Sequence, residues 1–319
     1  MQQNTKILAT LKLINKYFWK TKIAPILSLG IPLGFMLLFF ALEQSNDVNN
    51  GIPSTSFISG LPSFISLSIF PFMLMTLPQM HTDFKNSILL RKIRISNIGK
   101  YNYFLLIFGY STVMSLFFTL ITFLAFLAFG NESLFEVLPK SIDAPTNISG
   151  ISLIQSIDWL GLIYGIIMLI ISGVPLGLFI GIISKSPMVA QLIGLTIFML
   201  SLTLSGQFIP LSVIAQITGL EYVILFSPLN YALSLINSAT IPLIKFVSND
   251  ALPPEIMSFE IFKNNIFDLT TPFKINDLRG MGDITLFATW HKGLNLFFPL
   301  LVSGSFITLD SYFFKWSSR

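Results

Sequence analysis

Groups able to do chemistry are scarce in this sequence and stand far apart. It has two histidines, His81 and His291, and no cysteine. That excludes a disulfide, a thiolate metal site and a cysteine nucleophile. No H-E-x-x-H, no G-x-S-x-G and no pair of carboxylates inside an apolar run occurs, and hydrolytic or transfer chemistry needs some such cluster. A phosphate-cradling loop needs G-x-x-x-x-G-K-[ST]. The one Gly-Lys pair, Gly99-Lys100, is followed by Tyr101 and has Arg94 where the first glycine would stand. The expectation is therefore no catalytic residue, no cofactor-binding residue and no metal ligand on this chain, which is read as not an enzyme. Two carboxylates border or enter apolar runs. Asp310 lies about one turn from the end of the last run, near Lys315, and Asp158 sits at the mouth of the fourth. Snorkelling or local pairing accounts for the first, and an interfacial position for the second.

What must position these few groups is a mostly apolar chain. Of 319 residues, 53% are hydrophobic and only 11% charged, where a soluble domain has about a quarter charged. So little charge cannot cover a globule of this size, and a bilayer is the expected solvent for much of the surface. Apolar runs of the length a helix needs to cross about 30 Å of hydrocarbon fall at 23–42, 58–79, 103–129, 157–183, 188–212 and 293–314. The first is read as a retained span, since it lacks a small-residue cleavage site.

Basic residues orient the spans. Thirteen of the 19 fall on one side: Lys6, Lys12, Lys16, Lys20 and Lys22, then Lys85, Arg91, Lys92, Arg94 and Lys100, then Lys185, Lys315 and Arg319. Asp83 is the one acid in those segments. The other side holds Glu43, Asp47, Glu132, Glu136, Asp143, Asp250, Glu255 and Glu260. The positive-inside rule then places both termini in the cytoplasm. Trp19 and Trp316 at inner ends, with Trp159 and Trp290 at outer ends, suit the aromatic belts. A net charge of +4 distributed in this way speaks for the membrane and against nucleic acid.

Residues 6–20 predict an amphipathic helix, part of an interfacial segment 1–22, with Ile7, Leu8, Leu11, Ile14 and Phe18 on one face and Lys12, Lys16 and Lys20 on the other. It is expected to lie along the inner leaflet, apolar side down. The loop at 80–102 interleaves Leu89, Leu90, Ile93 and Ile95 with Arg91, Lys92 and Arg94. It suits either a basic loop held against anionic lipid or a short helix docking into a soluble partner. The segment 213–292 is expected outside, with short helices dipping into the outer leaflet around Pro228, then a small polar insertion with turns. The fourth run carries Gly173, Gly177 and Gly181 at four-residue spacing, which lets helix backbones approach closely. In the fifth, Gln191, Gly194, Ser201 and Ser205 lie roughly on one face. These faces either pack helices or line a pathway or subunit contact.

The order of features resembles the membrane subunit of ABC-2-type exporters. "LSGQFIPL", Leu204 to Leu211, is similar to that family's Ser-Gly-x-Phe-x-Pro signature through Ser205, Gly206, Phe208 and Pro210. "FSPLNYAL", Phe226 to Leu233, resembles its Ser-Pro-Leu-x-Tyr element through Ser227, Pro228 and Tyr231. The join from Gly177 to Leu195 resembles the family's short turn between the fourth and fifth spans. At the loop after the second span Asp83 and Lys85 keep charges, while Asn86-Ser87 stands in place of the family's Gly-Thr and no proline follows.

The resemblance implies an all-α membrane protein: a single transmembrane domain over 1–319 with six spans, an N-terminal interfacial helix and short outer re-entrant helices before the last span. It implies a permease in the bacterial plasma membrane that exports a drug, peptide, lipid or other amphipathic cargo. A second permease copy, identical or not, and a separate ATP-binding cassette ATPase would be its partners. Coupling to that ATPase would fall to Asp83, Lys85, Leu89, Leu90 and Arg91, together with the N-terminal helix. The alternatives are an ATP-independent carrier or channel, which would be expected to show inverted repeats, and a membrane scaffold or sensor using the outer segment.

Overall fold

The computed structural model describes residues 2–21, 25–50, 60–95, 98–129, 157, 159–204, 229, 231–233, 235–236, 239, 273–277, 282–287 and 290–314. Helix α1 spans Gln2–Lys20. A π-helical turn, Ile26–Gly30, leads into α2, Ile31–Asn50. Helices α3 (Leu61–Phe70) and α4 (Leu77–Asn86) are joined by a second π-helical stretch, Pro71–Thr76, into one rod of 26 residues. Then come α5 (Ile88–Ile95), α6 (Lys100–Phe129), α7 (Trp159–Ile183) and α8 (Pro187–Leu204). A hairpin of β1 (Phe273–Asp277) and β2 (Gly282–Phe287) precedes α9, Trp290–Phe313.

Among the described residues, four helices are long and apolar enough to cross a membrane: the Leu61–Asn86 rod, α6, α7 and α8. These are four of the six spans expected from the sequence. The runs at 23–42 and 293–314 also form helices, in which the described residues include the shorter apolar stretches Ile26–Leu38 and Phe297–Phe313. The fold is almost entirely helical, and among the described residues the hairpin is its one departure from an all-α architecture. The antiparallel register pairs Ile275 with Ile284 and Asp277 with Gly282, with an irregularity between Phe273 and Lys274. The loop expected at 80–102 is also shorter, because α4 runs on to Asn86 and α6 begins at Lys100.

The Leu61–Asn86 rod is the centre of the bundle, with 94% of its most apolar window buried against 33% for α6 and α8. Its prolines explain its shape. Pro62 lies in the first turn of α3, where its missing N–H costs nothing. Pro71 cannot donate to the turn before it and its ring crowds the carbonyl four residues back, and the helix widens there. Leu77 then donates its N–H to Phe72, five residues back. With Leu77 committed to Phe72, and Pro78 offering no N–H to Leu74 or Met73, those two carbonyls lose their usual helical donors.

Glycines of the neighbouring helices receive them. A β-carbon on Gly177 of α7 would overlap the Met73 carbonyl oxygen, and one on Gly194 of α8 would overlap the Leu74 carbonyl oxygen. Glycine Cα–H groups can approach a carbonyl this closely. Gly173 instead faces the Met73 sulfur. The glycine stripe of α7 thus faces the central rod of the same chain.

The apolar residues of helix α1 divide between protein and surface. Ile14 and Phe18 are buried against the bundle, and the Phe18 ring meets Phe72 at 5.5 Å and Phe118 at 6.0 Å. Leu8 and Trp19, on the flank of that face, stay exposed. The strongest apolar residues of α1 dock on protein, because the aromatic side chains of the rod and α6 offer them a close-packed partner.

Candidate functional site

A cluster of polar side chains lies at the C-terminal end of the rod. In α4 the sequence LPQMHTDFKN places Leu77, Met80, His81 and Phe84 on a buried face, at i, i+3, i+4 and i+7. The turns between them carry Thr82, Asp83, Lys85 and Asn86. The helix stops because Ser87 adopts an extended backbone, its N–H still reaching Asp83 O at 2.9 Å. The Ser87 hydroxyl then accepts the Leu89 N–H at 3.2 Å, which makes it the N-cap of α5. One residue therefore closes α4 and opens α5.

Three side chains of α4 bond carbonyls of the last turn of α7 and of the two residues that follow it. Thr82 Oγ1 donates toward Pro78 O at 2.8 Å and Gly181 O at 3.0 Å. Lys85 Nζ donates to Ile182 O at 2.7 Å and Ser184 O at 3.1 Å. Asn86 Nδ2 donates to Lys185 O at 3.2 Å. A cation is favoured at this place, since a helix C-terminus carries partial negative charge. The approach also requires glycine at 181, where a β-carbon would lie 2.9 Å from Pro78 O.

Asp83 points the other way and accepts a hydrogen bond from the Tyr17 hydroxyl of α1. The Tyr17 ring meets Phe84 edge-on at 4.9 Å. Burial first, and then the neighbouring Asp83 carboxylate, push the Tyr17 phenol above its ordinary range, so it remains a donor throughout the working pH range. Tyr17→Phe should keep the ring contact and lose the bond. Thermal unfolding in mild detergent is expected to report a loss of about 1 kcal/mol, below the usual range for a bond to a charged acceptor because the site is half-exposed. An unchanged melting curve would show that α1 is held by Phe18 and Ile14 alone.

A second junction closes the last helix. Lys100 Nζ, in the first turn of α6, donates to Ser311 O of α9 at 2.9 Å. His81 Nδ1 lies 3.1 Å from the Tyr103 hydroxyl, and the Phe314 ring packs on Phe104 at 4.9 Å and Tyr103 at 5.7 Å. Asp310 is buried, and its Oδ1 has no hydrogen-bond partner among the described residues.

The residues singled out from sequence thus separate. Asp83 and Lys85 are turned toward α1 and α7. Leu90 and Ile93 are buried and hold α5 against the bundle, Leu89 is half-buried, and Arg91, Lys92 and Arg94 are exposed. Gly173, Gly177, Gly181 and Gly194 face the rod. Ser201 is buried and Gln191 half-buried on α8. Tyr231 is buried with its ring 4.3 Å from that of Phe298. Ser205, Gly206, Phe208, Pro210, Ser227 and Pro228 lie outside the described residues. Sequence reasoning missed Tyr17, Thr82, Asn86 and Lys100. Only the polar run Thr82 to Asn86 at the end of an apolar stretch signalled any of them.

The arrangement is mechanical in character. His81 and Tyr103 are fully enclosed, so neither can reach a solute. No group of three metal-ligating side chains occurs among the described residues. A cleft lined by Tyr17, Thr21, Thr76 and Gln79 has about 10 Å³ of free volume, room for roughly one water. What the junction can do is transmit displacement, since α5 is tied through one serine to α4, and α4 is tied by side chains to α1 and α7. Comparisons with protein-family models, curated proteins and solved structures find no match to this chain.

Proposed function

We propose that this chain is the membrane-spanning permease subunit of an ATP-binding cassette exporter of the ABC-2 type. In this reading it works with a second permease copy and with a separate ATPase that docks at its cytoplasmic end. The observation that carries the reading is the α4–α5 junction. A short helix presents Arg91, Lys92 and Arg94 outward, while Leu90 and Ile93 seat it on the bundle. The residues just before it bind helix α1 through Asp83 and helix α7 through Lys85. A push on α5 by a partner would therefore be felt by three other helices, as a subunit driven by a separate ATPase requires.

The proposal includes six spans, with the helices at Ile26–Leu38 and Phe297–Phe313 completing the four long ones, and both termini on the cytoplasmic side of a bacterial plasma membrane. The outward faces of α6 and α8, among them Leu105, Leu120, Leu124, Leu192 and Leu200, then meet lipid or the second permease copy. A hydrophobic or amphipathic cargo fits a bundle whose described interior is mostly apolar, with hydroxyl groups such as Ser111, Ser115, Thr119 and Thr122 buried in it. Tagged full-length chain, purified in mild detergent from its native host, should carry a Walker-motif ATPase with it. Arg91→Glu combined with Arg94→Glu should lower that association roughly tenfold or more, as like-charge or lost complementary contacts do at an interface. If no such ATPase associates and ATP hydrolysis never depends on this chain, the reading fails.

A further inference from the structure

The described basic residues at this end of the bundle differ in what engages them, and Arg91, Lys92 and Arg94 face outward from α5. Lys85 and Lys100 are committed to helix carbonyls. Lys12, Lys16 and Lys20 of α1 are exposed, and no acidic side chain among the described residues engages them. At four-residue steps they form one row, about 6 Å between successive positions along the axis. We propose that this row, together with Trp19, is a binding surface for anionic phospholipid headgroups. The inference rests on the chain sitting in a bilayer and needs no ATPase.

Three observations favour lipid over a soluble acidic partner. First, α1 is fastened from behind: Ile14 and Phe18 are buried, Asn15 accepts the Tyr110 hydroxyl hydrogen at 3.2 Å and Tyr17 holds Asp83. The direction of the lysine row is therefore fixed against the bundle. Second, the flank between the buried face and the row carries Leu8 at 70% exposure and Trp19 at 47%. An indole and a leucyl side chain beside lysines is the composition of a bilayer interface, apolar bodies in the acyl boundary and ammonium groups at the phosphates. Third, Lys20 stands six residues before Ile26, where an outward-facing apolar surface begins with Ile26 at 63%, Leu37 at 51% and Leu38 at 53% exposure. A cationic row at the edge of such a surface lies at headgroup level and complements anionic lipid.

The test uses the full chain carrying Trp159→Phe, Trp290→Phe and Trp316→Phe, so that Trp19 is the one fluorophore of its kind. It is reconstituted in phosphatidylcholine vesicles containing either brominated phosphatidylcholine or brominated phosphatidylglycerol at equal mole fraction. The brominated phosphatidylglycerol should quench Trp19 about threefold more effectively at low salt, with the preference shrinking toward unity in 1 M NaCl as screening predicts. Replacing Lys12, Lys16 and Lys20 together by Gln should abolish the preference. Equal quenching by the two lipids in the unaltered row overturns the proposal. So does a preference that survives the triple substitution. Absence of quenching by either lipid places the row in water, facing a soluble partner, and overturns it as well. Where the triple variant fails to incorporate, the salt titration on the unaltered row decides alone.

Discussion

Gly194→Ala should destabilise this protein by about 3 kcal/mol or more, at or above the upper end of ordinary overpacking. The added methyl would have to occupy the position of the Leu74 carbonyl oxygen, and a backbone atom in the centre of a buried rod cannot step aside. Gly177→Ala meets the Met73 carbonyl in the same way, and Gly181→Ala meets Pro78 O at 2.9 Å. Gly173→Ala is expected to be milder, because the obstacle at 2.5 Å is the Met73 sulfur, the movable part of a flexible side chain. Gly34, Gly109 and Gly304 have nothing within 4 Å of an added β-carbon. Alanine at these three should be neutral or stabilising by up to about 1 kcal/mol through helix propensity. Thermal unfolding in mild detergent separates the sets, with a fall of roughly 5 °C or more expected for Gly194→Ala and Gly177→Ala. A flat series would mean that α7 and α8 do not close on the π-helical stretch.

That series also shows where sequence reading succeeds. The four-residue spacing of Gly173, Gly177 and Gly181 announces a close helix contact, since spacing by four puts residues on one face of any helix. What lies opposite was not legible. It depends on Pro71 and Pro78 freeing carbonyls in a helix far earlier in the chain, and composition does not encode that partnership. The hairpin left a readable trace. Phe273 and Ile275 alternate with polar residues, as do Ile284 and Leu286, on either side of a short glycine-containing segment, the period-two pattern of strands. The third case is charge. Lys12, Lys85 and Arg91 look alike in a count of basic residues, yet one is exposed on α1, one caps α7 and one faces outward from α5. Topology counting needs only the sign and side of a charge, whereas a role needs its partner, and long flexible side chains hide their partners from the sequence.

Lys85 is where that hidden partner matters most. Lys85→Met keeps the length and apolar stem but removes the ammonium, leaving Ile182 O and Ser184 O without their donor. A hydrogen bond from a charged group is worth about 1.5–3 kcal/mol, and the favourable charge at the helix end goes with it. The site is partly open to solvent, so water recovers part of the loss and the stability change should fall near ~1 kcal/mol. The larger effect is expected in coupling. With Thr82 and Asn86 left to hold α7, a displacement of α5 would reach it through neutral bonds alone. If the chain is the permease proposed above, substrate-dependent ATP hydrolysis by its reconstituted complex should then drop about tenfold or more, equivalent to roughly 1.4 kcal/mol of lost coupling. Binding of the ATPase should be unchanged, because Lys85 points into the bundle while Arg91 and Arg94 point away from it. The opposite pattern is expected of Arg91→Glu with Arg94→Glu, in which association fails first. If Lys85→Met instead loses ATPase binding and the double reversal does not, the docking face has been assigned to the wrong side of α4 and α5. If both retain full transport, the junction is a brace that holds the helices together and carries no motion between them.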